Sequence, residues 1–139
     1  MRAMIDVNVL LDVLQRRGEF FISSARVCDL VSKGAIEGLV SAHAVTTIFY
    51  VMRKLVDPVS AGKALDWLLR TFDVAEVGKA ALQRARGLGF EDFEDAVVAA
   101  AAESARCDYI VTRNLRDFSG SPVAAVEPAE LLASRERFA

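Results

Sequence analysis

The sequence predicts an α/β fold, a parallel sheet carrying helices on both faces. Three observations support this. Short apolar runs alternate with helix-period segments about five times along the chain, the pattern of consecutive βα units. The first run, RAMID, is short and apolar and ends in an acid, as expected of a strand covered on both sides. With 139 residues and a hydrophobic share of 53%, the chain can build one core and is too apolar to stay disordered. Residues 1–139 therefore read as one domain, with no repeat, linker or low-complexity segment.

Each element follows from local signals. Residues 2–6 form a strand that leaves Asp6 at its C-terminal end, where open α/β sheets place their ligands. Asn8 is expected to cap a helix through VLLDVLQRR, with Leu10, Leu11 and Leu14 as its apolar stripe. Asp12 reads first as a favourable acid early in that helix and only second as a catalytic group. A second helix is predicted from Phe20 to Lys33, stopping at Gly34, and EGLVSA follows as a strand. HAVTTIFYVMRK is read as helix despite its β-branched residues, because Val45, Ile48, Phe49 and Met52 recur three and four apart. Thr46 and Thr47 fall in its first turns, facing whatever lies at the end of the second strand. Pro58, between Asp57 and Ser60, opens a helix through ALDWLLR, with Trp67 and Leu68 assigned to the core. FDVAEV is the next strand, then a helix from Gly78 to Arg86, then a break at Gly87 and Gly89. Within Glu91–Phe118 lie a helix opened by acids, the strand DYIVT and a polar strand end. PVAAVEP makes a last strand, and Pro128 starts the final helix, AELLASRE.

Composition excludes several functions. No apolar run approaches the ~18 residues that span a bilayer, and MRAMIDVNVLLD, broken by Asp6 and Asn8, is no signal peptide. Cys28 and Cys107 have no CxxC spacing, which reads as two buried thiols of a reduced cytoplasmic protein. With 17 basic and 19 acidic residues the net charge is −2, so nucleic acid has no global attraction and would need a local basic patch. The one histidine, His43, leaves zinc chemistry without ligands. A Ser-His-Asp site would have to use it, and a capping or half-buried packing role fits its place better.

The chemistry concentrates in Glu91–Phe118. Asp92 and Asp95 are three apart and share one face of a helix start, where the dipole favours carboxylates. Acids open helices for stability alone, but AVVAAAA after them is small and apolar, so this helix is expected close against the sheet. If it runs antiparallel to DYIVT, its acids meet the strand's polar end: Thr112, Asn114 and Asp117. That is the edge Asp6 occupies. Such a cluster of like charges repels itself unless a cation is bound. Oxygen ligands without His or Cys suit Mg²⁺ or Mn²⁺, which hold phosphate oxygens and activate water, so a phosphodiester is the expected substrate. Basic residues able to meet a phosphate backbone are Arg16, Arg17, Arg53, Lys54, Arg113 and Arg116, and the last two flank Asn114.

MIDVNVLLD, FEDAVVAAAA and YIVTRNLRDF, in this order and spacing, make the chain resemble the PIN domain, a family of small metal-dependent ribonucleases that includes the VapC-type toxins of toxin–antitoxin pairs. The resemblance covers essentially the whole chain. It implies a three-layer α/β/α sandwich with a five-stranded parallel sheet and acids gathered at one edge. Asp6 matches the family's first metal-binding acid and Asp95 the acid of the later helix. Asn114 stands where the family usually has Asp, with Asp117 able to supply the charge from the next turn. Asp92 resembles an extra acid of some branches, and Thr47 takes the place of a common Glu. The implied function is a Mg²⁺- or Mn²⁺-dependent endoribonuclease with Asp6, Asp95 and Asp117 catalytic. Those three with Asn114 hold the metal, Asp92, Thr47 and Thr112 are further contributors, and Arg113 and Arg116 meet the RNA. An antitoxin and a second copy of the chain are the implied protein partners. Thr47 and Asn114 motivate a second reading, a PIN-like RNA- or protein-binding module with weakened catalysis. A phospho-receiver domain would need a Lys after the fifth strand, and none occurs beyond Lys79.

Overall fold

The computed structural model describes residues 1–138. The chain runs β1 (Arg2–Ile5), α1 (Val7–Leu14), α2 (Phe21–Ser32), β2 (Glu37–Ser41), α3 (Ala42–Leu55), α4 (Pro58–Thr71) and β3 (Asp73–Ala75). It continues through α5 (Lys79–Gly87), α6 (Phe93–Ser104), β4 (Tyr109–Val111), β5 (Ala124–Val126) and α7 (Pro128–Phe138). Two 3-10 turns, Gly18–Phe20 and Leu115–Phe118, precede α2 and follow β4. The five strands form one parallel sheet in the order β3-β2-β1-β4-β5.

Alternation along the strands makes this sheet two-sided. In β1, Ala3 and Ile5 enter one apolar core and Met4 the other; Val40 and Leu39 divide β2 in the same way, and Val111 and Ile110 divide β4. This is the period of two of a pleated strand. The first core is closed by α1, α2, α3, α4 and α7, the second by α6, and α5 packs on α6 through Ala85 and Ala96. The expected α/β/α layering and five-stranded parallel sheet are both present. Alanine makes the second layer close: every residue from Ala96 to Ala102 is buried, so α6 lies directly against β1, β2 and β4. Gly38 does the same for α2 and β2, since a Cβ there would stand 2.5 and 2.6 Å from the Val31 methyls.

Several local signals resolve differently from the sequence reading. Asp6, not Asn8, caps α1: its backbone is extended (φ −76°, ψ 155°) and its carboxylate accepts from the Val7 amide. The helix therefore begins at Val7 and frees Asn8 for other bonds. It ends at Leu14, short of Arg17, because the chain turns left-handed at Arg16 (φ 48°). Asp12 is no exposed early-helix acid but is fully buried. Trp67 is half-buried beside the fully buried Leu68, its ring edge-on to Phe72 at 5.4 Å. Cys28 and Cys107 are buried free thiols, pushed by burial up to about 12 and about 11.

The chain lays β2 and β3 on one side of β1 and then crosses to β4 and β5 on the other. The crevice beyond the carboxyl ends of β1 and β4 is thus the topological switch point, where such sheets bind ligands. Asp6 and Thr112 stand there, directly after the two strands.

Candidate metal centre

Asp6 is held at the end of β1 by four groups. Its Oδ1 accepts from the Val7 amide (2.9 Å), and its Oδ2 accepts from the Thr112 hydroxyl (2.8 Å) and the Asn8 amide (3.2 Å). The Asp6 backbone amide donates to Val111 (3.0 Å). Burial raises its pKa; the bonds from Thr112 and Val7 oppose this, and the charges of Asp117 and Asp92 add to it. The Thr112 hydroxyl also accepts from the Asn114 amide (3.1 Å). One buried oxygen thereby links strand end, Asp6 and the following loop.

Asp92 and Asp95 come to the same place from α6. Asp92 is the N-cap, its Oδ1 accepting from the amides of Glu94 (2.8 Å) and Asp95 (3.3 Å), which satisfies donors left open at a helix start. Asp95, in the first turn, is half-buried. Its pKa is raised to about 7, first by burial and then by the charges of Asp6, Asp92, Asp117 and Glu94. Asp117 arrives on the 3-10 turn after β4. Asp92, Asp95, Asp117 and Arg116 line a cleft of about 620 Å³, with Phe90 and Gly120 at its wall. The antiparallel meeting of α6 and the polar end of β4 is thus realised.

Charge and geometry describe this cluster at different ranges. The carboxylates raise one another's proton affinity, yet among the described residues no three Asp, Glu, His or Cys side chains converge on one point. Repulsion reaches about 10 Å at ordinary salt, whereas ligation requires about 2 Å. Carboxylates spaced more widely than ligands still act on one another through their charge. No basic side chain pairs with Asp6, Asp92, Asp95 or Asp117 among the described residues. An all-oxygen, unneutralised donor set fits a hard divalent cation.

Other predicted residues stand elsewhere. The Thr47 hydroxyl folds back onto its own helix, donating to the His43 carbonyl (3.1 Å), as Thr46 does (2.8 Å); neither faces the cleft through that oxygen. Asn114 is exposed, and its side chain makes no hydrogen bond to cap the turn it precedes. Arg113 points away from the acids, to Asp12 and Phe20, beside a separate cleft of about 400 Å³. Only Arg116 of the two flanking arginines lines the acid cleft.

Two residues of α1 and one of α3 have partners that their sequence positions did not announce. Asn8, taken for a cap, bonds both Asp6 and Thr112 (3.3 Å to the latter). Asp12 is the buried partner of Arg113. The spacing Asn8–Asp12, two polar groups one turn apart in an otherwise apolar helix, was the available signal. His43, at the start of α3, is half-buried; burial lowers its pKa while the charge and backbone of Glu94 oppose that. Its Nδ1 is buried without a partner. No sequence signal links His43 to Glu94.

Known proteins agree with this architecture. The DNA-bound VapBC2 of Rickettsia felis superposes with a TM-score of 0.73 at 15% identity, covering 91% of this chain and 98% of that one. The DNA-bound VapBC of Salmonella typhimurium gives 0.72 at 16%, covering 92% and 98%. VapC20 of Mycobacterium tuberculosis, described as a sarcin-ricin loop cleaving toxin, gives 0.65 at 12%, covering 78% and 86%. At such identities the likeness is one of fold. No curated protein sequence matches this one closely enough to count as a relative. The sequence profile of the PIN domain, however, matches residues 2–116, a span that runs from β1 into the last 3-10 turn and includes Asp6, Asp92 and Asp95, with Asp117 one residue beyond it. The chain belongs to the PIN domain family.

Proposed function

We propose that the protein is a Mg²⁺- or Mn²⁺-dependent endoribonuclease, the toxin of a toxin–antitoxin pair. One observation carries this reading: Asp92, Asp95 and Asp117 share a cleft, and burial together with the charges of Asp6, Asp92, Asp117 and Glu94 raises the Asp95 pKa to about 7. Asp6, Asp95 and Asp117, with Asn114, would hold the cation. A bound divalent ion supplies a lowered water pKa and a positive contact for phosphate oxygens. The chain's own groups do the rest. Asp92 fixes the α6 start, Thr112 and Asn8 aim Asp6, and Arg116 offers a phosphate contact without sequence choice.

The described toxin activity of VapC20 and the paired antitoxins of the VapBC neighbours favour the same assignment here. Tyr50, Leu55, Val56 and Val59 are exposed along α3, the turn after it and the start of α4, an apolar surface suited to a protein partner, and we assign antitoxin binding or homodimerisation to such a surface. Thr47 favours a second reading, a module that binds metal and RNA but cleaves weakly, since its hydroxyl is spent on the His43 carbonyl.

Nuclease assays with Mn²⁺ on Asp6→Asn and Asp95→Asn decide between them. The expected result is loss of RNA cleavage with an unchanged circular dichroism spectrum. Cleavage at the parent rate by both variants rejects Asp6 and Asp95 as the acids of the reaction, and Mn²⁺ binding by the parent with no cleavage of any RNA selects the binding module.

A further inference from the structure

The loop that delivers Thr112 and Asn114 to the site has little backbone support. The sheet ladder ends at the Thr112 amide, bonded to Val126 (2.9 Å), and the next regular turn starts only at Leu115. Between them, α1 grips the chain from one face. Asn8 Oδ1 accepts from the Arg113 amide (3.3 Å), and one turn further on Asp12 Oδ2 accepts from Arg113 Nε (2.7 Å). Asn8 and Asp12 are four residues apart on the helix that Asp6 itself caps, so they align along one face.

The Asp12–Arg113 pair is built for direction. Asp12 is fully buried, and Ser24 donates to the same Oδ2 (3.2 Å). The Arg113 guanidinium lies over the Phe20 ring at 4.1 Å, its side chain only 23% exposed. A buried ion pair is a weak source of net stability, and this one leaves Asp12 Oδ1 with no partner. What it supplies is a fixed position for residue 113, and through the adjoining Thr112 hydroxyl, a fixed rotamer for Asp6.

Resting on the reading of the acid cleft as a metal site, we propose that Asp12 and Arg113 are a positioning pair, locking the Thr112–Asn114 loop to α1 so that Asp6 and Asn114 are preset for the cation. Arg113 then serves the site from behind and leaves RNA contact to Arg116. Orienting partners of this kind change metal affinity by about 10–100-fold when removed.

The test uses Asp12→Asn and Arg113→Ala, with Arg113→Lys as the conservative variant and Ile48→Val, in the core away from the network, as a stability control. Amide hydrogen exchange of the metal-free proteins should accelerate at Arg113 and Asn114 at least tenfold more than at Leu68 in Asp12→Asn and Arg113→Ala. Mn²⁺ titration should give a dissociation constant raised tenfold or more in both, less in Arg113→Lys, and within twofold of the parent in Ile48→Val. Unchanged relative exchange at both amides overturns the proposal whatever the metal does. So does parental Mn²⁺ affinity in both variants. A parent protein that binds no Mn²⁺ defeats the metal reading instead, and the exchange comparison still decides the positioning role. If a lone buried charge unfolds either single variant, Asp12→Leu/Arg113→Met removes both charges together and carries the same comparison.

Discussion

At Asp95 a carboxylate is half-buried, close to Asp6, Asp92, Asp117 and Glu94, with its pKa at about 7 against an ordinary 3.8. A raised folded-state pKa means that the folded protein binds the proton more tightly than the unfolded chain. The stability this contributes is complete below about pH 4 and is lost as pH rises through about 7. The metal-free protein should therefore melt lower at pH 8 than at pH 6 by the share Asp95 contributes. Allowing for the solvent that reaches a half-buried group, that share is at most about 1 kcal/mol between these two pH values, or roughly 3 °C. Asp95→Asn should remove the Asp95 share of this slope and raise the metal-free melting temperature at pH 8, measured by differential scanning fluorimetry. A parental slope that survives the substitution would refute the assignment. Asp6 acts in the same direction, its burial outweighing the bonds from Thr112 and Val7. Asp95 was legible as an acid at a helix start; its proton affinity was not, because it depends on burial and on two other segments, carrying Asp6 and Asp117, arriving nearby.

Among the elements, α6 and α2 are placed by missing side-chain volume. The run Ala96–Ala102 lets α6 lie on β1, β2 and β4, so that its first turn reaches the edge where those strands end. Gly38 lets α2 close over β2 in the same way. Gly38→Ala would push a methyl into Val31, with Phe72 Cδ1 a further 3.1 Å neighbour. Overpacking of this kind costs about 1–3 kcal/mol, and a urea midpoint lowered without a change in slope would show it. Cleavage by the residual folded protein should persist, since neither residue touches the cleft. The positions of α1 and α3 were readable from apolar spacing, and that of α4 from Pro58 and its capping neighbours. The left-handed turn at Arg16 and the capping by Asp6 were not, because a capping acid and a strand-end acid look alike until the chain direction after them is known.

Over the whole molecule the charge is near balance, −2, and the acid cleft adds a negative face. On the proposed nuclease reading, attraction for RNA would come from the cation and from few arginines, of which Arg116 lines the cleft and Arg113 is committed to Asp12. Single-strand binding releases about 0.7 counterions per phosphate neutralised. RNA binding by the Asp6→Asn protein should thus show a shallow salt dependence, a log–log slope no steeper than about −1.5 by fluorescence anisotropy. A slope of about −4 or beyond would reveal a basic surface unaccounted for.

Local order along the chain was enough to determine the layered α/β architecture, because alternating apolar periods, small residues and capping acids each act over a few neighbours. It was also enough to mark Asp6, Asp92, Asp95 and Asp117 as a set. Tertiary structure alone decided which polar groups became partners. Arg113 turned from the acids to a buried Asp12 and an aromatic ring, Asn8 left the cap for Asp6 and Thr112, and Thr47 turned to its own helix. Each of these choices is a competition between hydrogen-bond partners remote in sequence. Their distances exist only once the sheet has set β1 beside β4.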